Sequence, residues 1–311
     1  MRIVVTGGSG RLGRSLVAEL ADAGHELVSF DRTPSNELVR DGIEQVSVDL
    51  TDAAAALDAL TTSGADALIH LAAIAVPFSA PEDVIMRTNA ALAMSVLGGA
   101  VQAGIPRIVA ASSPTVIGYG APAGWVPERL PLDEESLTHP WNAYGLSKLV
   151  IEQTLGMLQR QTGDATRFAA FRPCYVIAPE EWAGAPTQQG HTVLERLDDP
   201  ALAAPALFNY VDARDVAAFA DTLLRGIGDI PNGEVFFVGA NDALAREQLS
   251  DLIPRFHPGA ARAALALTGD APAFSSAKAA RVLGWYPSRS WRTELAVAVS
   301  TRAPGSATHT D

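Results

Sequence analysis

Cysteine is almost absent. Cys174 is the single one in 311 residues, so no intrachain disulfide can form, and a lone thiol beside proline in an apolar run reads as a small buried hydrophobe. Lysine is nearly as scarce, at positions 148 and 278 only, and acidic residues outnumber basic ones 35 to 23 for a formal charge of −12. Neutralising phosphates takes clustered Lys and Arg, so a general nucleic-acid surface is excluded. Long hydrophobic runs are missing too. The stretches 67–77 and 92–101 are shorter than the about 20 apolar residues that span a bilayer, or are broken by Gly, Pro and Ser, so no membrane segment is expected. Met1 to Thr6 runs straight into glycines without the charged, apolar and small-residue segments of a secretory signal, and a cytoplasmic location is expected. The six histidines have no ligand-like spacing, so no metal is expected.

Apolar residues make up 48% of the chain, ample for a large core. Strand-like runs at 2–6, 26–30, 45–48, 67–71 and 107–111 alternate with helical periodicity at 12–23, 53–61 and 81–103. This rhythm predicts an α/β fold of Rossmann type, a doubly wound parallel sheet covered on both faces. A Pro/Gly/acid-rich stretch at 120–140 precedes a helix at 141–161 and a strand at 167–171. Prolines and glycines return at 178–206, marking a small C-terminal substrate-binding cap. A helix at 213–225, a strand at 234–238 and short helices at 246–252, 276–283 and 291–299 follow. The expected organisation is a dinucleotide-binding domain over 1–175, its sheet completed near 208–240, a region at 176–302 that is mainly cap, and a disordered polar tail at 303–311.

Between the first strand and first helix lies Thr6-Gly7-Gly8-Ser9-Gly10-Arg11-Leu12-Gly13. Gly7, Gly10 and Gly13 let backbone approach a pyrophosphate while the helix N-terminus faces its oxygens. Asp31, ending the second strand, is placed to hold a ribose hydroxyl. It would repel a 2′-phosphate, which favours NAD, although Arg32 next to it offsets part of that repulsion and keeps NADP open. Asp49 ends the third strand, where a carboxylate either accepts from an adenine amino group or faces water.

Tyr144 and Lys148 stand four apart, on one face of a predicted helix. An ammonium there would lower the phenol pKa from about 10 and make it a usable acid. Ser113 follows the fifth strand at the sheet edge where doubly wound folds bind ligands; alone, such a serine reads as a local cap. Asp212, Arg214 and Asp215 read as a helix cap with a stabilising ion pair.

Taken together, TGGSGRLG at 6–13, Asp31, HLAA at 70–73, Asn89, SSPTVIG at 112–118, YGLSK at 144–148, FRP at 171–173, YVDARDVA at 210–217 and SSAKAARVLGWYP at 275–287 resemble the extended short-chain dehydrogenase/reductases, the NAD-dependent epimerase/dehydratase family. The resemblance implies Tyr144 as general acid/base, Lys148 orienting the nicotinamide ribose and acidifying Tyr144, and Ser113 polarising the substrate oxygen. It implies cofactor contacts from Gly7, Gly10, Arg11, Leu12, Gly13, Asp31, Arg32, Asp49, Leu50, Leu71, Ala72, Ala73, Asn89 and Pro173, besides Tyr144 and Lys148. A homodimer through helices 81–103 and 141–161 is also implied. Ile117 stands where nucleotide-sugar epimerases usually have Tyr, and Arg172-Pro173-Cys174-Tyr175 where they have an Asn. SSPTVIG is closer to uronate dehydrogenases. The expected activity is therefore NAD-dependent hydride transfer at a carbinol carbon of a sugar or sugar acid, with a nucleotide-sugar 4-epimerase and a non-catalytic dinucleotide sensor as alternatives.

Overall fold

The computed structural model describes residues 1–302. The tail expected to be disordered lies outside the described residues. Seven parallel strands form the main sheet: β1 (Arg2–Thr6), β2 (Glu26–Asp31), β3 (Ile43–Ser47), β4 (Ala67–His70), β5 (Arg107–Ala111), β6 (Arg167–Pro173) and β9 (Glu234–Val238), in the order β3-β2-β1-β4-β5-β6-β9. The order reverses beside β1, and crevices at such a reversal are where open α/β sheets bind ligands. Alternate residues of one strand serve opposite cores. Val4 packs in a cluster with Leu68, Ile108, Val96 and Ile151, whereas Ile3 and Val5 join one with Leu16, Leu20, Phe219 and Leu223.

Helices α1 (Arg11–Asp22) and α7 (Ala213–Gly226) cover the second face, and α2 (Ala53–Ser63), α3 (Glu82–Gln102) and α4 (Ala143–Thr162) the first. At 21 residues, α3 is long and apolar enough by composition to cross a bilayer, contrary to the sequence expectation that no segment was. Its Ile85, Leu92, Val96, Leu97 and Ala100 are buried in the fold.

The cap is built from pieces too short to announce themselves by periodicity: a two-stranded parallel sheet of β7 (Val176–Ile177) and β8 (Val211–Asp212), with α5 (Pro179–Trp182) and α6 (Val193–Asp198) between them. Thr192 and Glu195 form a capping box on α6. The helix expected at 246–252 begins instead at Leu249, as α8 (Leu249–Phe256); Arg246 is held outside it, 2.8 Å from Asp198 at the end of α6.

Candidate active site

The loop from β1 to α1 is shaped by its glycines. Gly7 has φ +71°, and a Cβ there would meet the Ala72 backbone nitrogen at 2.8 Å; one on Gly13 would meet the Gly7 carbonyl oxygen at 2.1 Å. Backbone atoms cannot yield, so the loop can be built only from glycine at these points. At Gly10 an added Cβ would meet only the Gly7 oxygen, at 3.1 Å. This loop, the ends of β2, β4, β5 and β6 and the cap enclose a cavity of about 570 Å³. Every cofactor or catalytic candidate named from the sequence lies in its wall except Asn89.

Asn89 is buried behind the wall. Its Oδ1 accepts from the Ile74 amide at 2.8 Å and its Nδ2 donates to Ser147 Oγ at 2.9 Å, while Ser147 donates to the Tyr144 carbonyl. It thus clamps the loop after β4 to the turn of α4 that carries the tyrosine.

Asp31 accepts from the Ser9 amide at 3.2 Å and the Arg32 amide at 2.8 Å, tying the glycine loop to β2. Asp49 is exposed. Its bonds from the Thr51 hydroxyl and amide, 2.7 and 3.0 Å, hold its carboxyl below the usual range. Arg11, expected on the cofactor, donates from Nε and Nη2 to both oxygens of Glu181 at 2.7 and 2.8 Å and also reaches the Val176 carbonyl. The loop is therefore linked to α5 of the cap.

Tyr144, Lys148 and Ser113 meet at the carboxyl end of β5. Asn142 caps α4 by accepting from the Gly145 amide at 2.8 Å, which fixes the first turn around Tyr144. Lys148 Nζ donates to the Ala111 carbonyl at 2.9 Å and stands 5.9 Å from the centre of the Tyr144 ring. Without cofactor, the expected acidification of the phenol is not seen. Burial pushes Tyr144 up to about 12, opposed only by the Ser113 hydroxyl, and burial pulls Lys148 down to about 8. Ser113 Oγ accepts from the Thr115 amide and hydroxyl at 3.3 and 2.9 Å, which leaves its own proton for the Tyr144 oxygen, whose pKa it lowers, or for a ligand oxygen in its place.

Behind this set lies a network that sequence reasoning missed. Glu152 takes Arg172 in a two-point ion pair, both contacts 2.8 Å, and accepts from Ser112 at 2.6 Å. Arg172 is thus a buried brace between β6 and α4. The available signal was spacing, since Glu152 follows Lys148 by four and shares its helix face. Cys174 is buried and its thiol is pushed far up by burial, as suits an inert side chain. Asp212 caps α7 and pairs with Arg214.

At the cap end the cavity is lined by Tyr175, Gln188, Gln189 and Asn209, and its mouth carries Phe78 and Trp141, whose rings lie 5.6 Å apart. Asn209 Oδ1 accepts from the Tyr175 amide at 2.8 Å. It follows Leu207 and Phe208, two successive non-glycine residues with positive φ, a costly conformation retained next to the cavity.

A doubly wound sheet with a glycine-rich first turn and a Tyr/Lys/Ser group at the end of β5 defines a short-chain dehydrogenase/reductase of the extended type. The profile of the NAD dependent epimerase/dehydratase family matches residues 3–239, and the chain belongs to that family. It is similar to a UDP-glucose 4-epimerase of Azospirillum brasilense, 34% identical over 158 residues that cover 50% of this chain and 43% of that protein. An NAD-dependent glucose-6-phosphate dehydrogenase of Haloferax volcanii is 32% identical over 164 residues, 50% of this chain and 61% of that one. The chain thus aligns with less than two thirds of either relative. Among solved structures it resembles a short-chain dehydrogenase/reductase superfamily protein of Agrobacterium tumefaciens with bound NAD, with TM-score 0.70, 25% identity and 97% of both chains covered.

Proposed function

We propose that this chain is an NAD-dependent oxidoreductase that moves a hydride between the nicotinamide and a carbinol carbon of a sugar or sugar acid. The observation that carries the reading is convergence: Tyr144, Ser113 and Lys148 share one cavity wall with the glycine loop and Asp31. The residues present suit a dinucleotide. Gly10 leaves room beside the N-terminus of α1 for a pyrophosphate, Asp31 can accept from a ribose diol at the adenosine end, and Lys148 keeps donors beyond its single bond to Ala111 for the second ribose.

Bound NAD supplies the hydride acceptor. Of the protein groups, Ser113 donates to the substrate oxygen, and Tyr144 takes the proton from that oxygen during oxidation or returns it during reduction. A phenol whose pKa burial has raised to about 12 is a poor base until positive charge arrives beside it. Lys148, 5.9 Å from the ring centre, is one such charge, and an oxidised nicotinamide held beside it would add a second. The free protein thus rests with its acid protonated.

The similarity to a UDP-glucose 4-epimerase favours a second reading in which hydride returns to the same sugar. Incubation with NAD and free aldoses, uronic acids or UDP-sugars separates the two: net reduced cofactor marks a dehydrogenase, isomerised sugar without net reduction an epimerase. Tyr144→Phe should lower turnover by roughly 10²–10⁴-fold with NAD affinity retained. Normal activity in that variant would remove the assigned acid/base, and cofactor binding without turnover of any sugar in the wild type would favour a sensor. A homodimer through α3 and α4 belongs to the same proposal, with Met94 and Leu146 as exposed apolar residues on those helices. Sedimentation should give twice the monomer mass, and less than that for Met94→Glu.

A further inference from the structure

Arg196 on α6 is 1% exposed, yet among the described residues no carboxylate lies within ion-pair distance of it. Its Nη1 donates to Gln189 Oε1 at 2.6 Å, its guanidinium stacks 4.2 Å from the centre of the Tyr175 ring, and its Nε has no hydrogen-bond partner. Glu181 acts on it through space, but both oxygens of that carboxylate are taken by Arg11. Two guanidinium groups thus share one carboxylate, and the Arg196 charge is left without a direct counter-ion. A guanidinium cannot shed its proton, and an unopposed buried charge is strongly unfavourable.

The two side chains that touch Arg196 both line the cavity. Because Gln189 gives its carbonyl oxygen to the guanidinium, its amide N–H donors remain for another acceptor and are polarised by the charge beside them. The Tyr175 hydroxyl is buried with no partner, a second donor awaiting an acceptor. The geometry points to an anion-recognition subsite at the cap end of the cavity, in which Gln189 and Tyr175 meet a carboxylate or phosphate group of the substrate and Arg196 supplies the counter-charge. This deepens the proposed function, on which it rests, by making the substrate an anionic sugar, a sugar acid or a sugar phosphate. Arg196 acts through Gln189 and Tyr175 and is a positioning residue.

The test is calorimetric titration of NAD-loaded protein with glucose, glucuronate, glucose 6-phosphate and UDP-glucose. At least one anionic probe should bind roughly tenfold or more tightly than glucose, and which one does so distinguishes a carboxylate from a phosphate. Arg196→Met should abolish that preference. Gln189→Glu is a second probe that does not depend on the first variant folding: it places a carboxylate against Arg196, and should raise the melting temperature while weakening anion binding at least as much. Equal binding of glucose and the anions, no binding by any anionic probe, or a preference that survives both variants would overturn the assignment. If anions bind but no sugar is oxidised or isomerised, the oxidoreductase reading fails and the subsite stands; turnover of a neutral sugar without any anion preference has the reverse meaning.

Discussion

Lys148 and Arg196 are both buried cations without an ion-pair partner among the described residues, and they sit at opposite ends of one arrangement, the sheet edge and the cap. The sheet edge has a group that can relinquish its charge, for burial brings Lys148 down to about 8. His70 beside it stays neutral, its pKa pushed to about 3 by burial and by the Lys148 charge. Thr6 fixes the tautomer. Its hydroxyl oxygen already accepts from the Leu71 and Ala72 amides at 3.2 and 3.3 Å, so its proton goes to His70 Nδ1 at 2.8 Å. The cap has no such release, because arginine keeps its proton. One region can rest empty with its charge adjustable, whereas the other carries a permanent demand for an anion.

The comparison is sharpened most by Lys148→Met. Turnover should fall by about 10²-fold or more, as the phenol loses its acidifying cation and the cofactor an anchor. Stability should move the other way at neutral pH. The folded-state pKa of about 8 lies below the unstructured value of 10.5, so between these limits the unfolded chain binds more protons and wild-type stability rises with pH. Methionine has no such rise. The stabilising effect of the variant should therefore be largest below pH 8 and shrink toward pH 10.5, read from urea unfolding at several pH values. A difference independent of pH would mean that the lysine is not a desolvated cation and would collapse the contrast with Arg196.

Next in size is Glu181→Gln, which removes the carboxylate shared by the two arginines. Loss of one partner from a buried pair leaves a charge exposed to the interior. Since Arg11 remains 22% accessible, the expected cost is about 2 kcal/mol rather than the full value for a deeply buried pair, measured as a lowered urea midpoint. The loss should be smaller when Gln189→Glu is also present, because that variant returns a negative charge to Arg196. Additive effects would show that the two sites do not share their charges.

The sheet and the Tyr/Lys/Ser group were legible because each rests on a repeating or fixed spacing. Strands 2–6, 107–111 and 234–238 were placed to the residue since short apolar runs bounded by turn signals and alternating with helical segments fit strands, and the helical repeat put Tyr144 and Lys148 on one face while their roles came from the family resemblance and Ser113. The cap was located by its prolines and glycines, but the elements inside it were not legible. β7 and β8 are two residues each, too short for any period, and α5 and α6 are held by charges far apart in sequence, such as Arg11 with Glu181. For the same reason the partner of Arg172 was not visible, because Glu152 lies twenty residues away in sequence. The motif position of Asn89 was visible, while its partners Ile74 and Ser147 were not.

The smallest predicted effect concerns cofactor choice at the adenosine end. The Asp31 carboxylate is directed by the Ser9 and Arg32 amides, so it keeps its charge fixed where a 2′-phosphate would approach, while the exposed Arg32 side chain partly offsets the repulsion. NAD should bind more tightly than NADP, by roughly tenfold, about 1.4 kcal/mol. Asp31→Asn should narrow this gap by tightening NADP more than it weakens NAD, and Arg32→Ala should widen it by weakening NADP alone. Fluorescence titration of both cofactors against the three proteins measures this directly. If Arg32→Ala weakened both cofactors equally, the arginine would be reading the shared pyrophosphate, and the adenosine end would resemble the cap in holding a cation that requires an anion in every bound state.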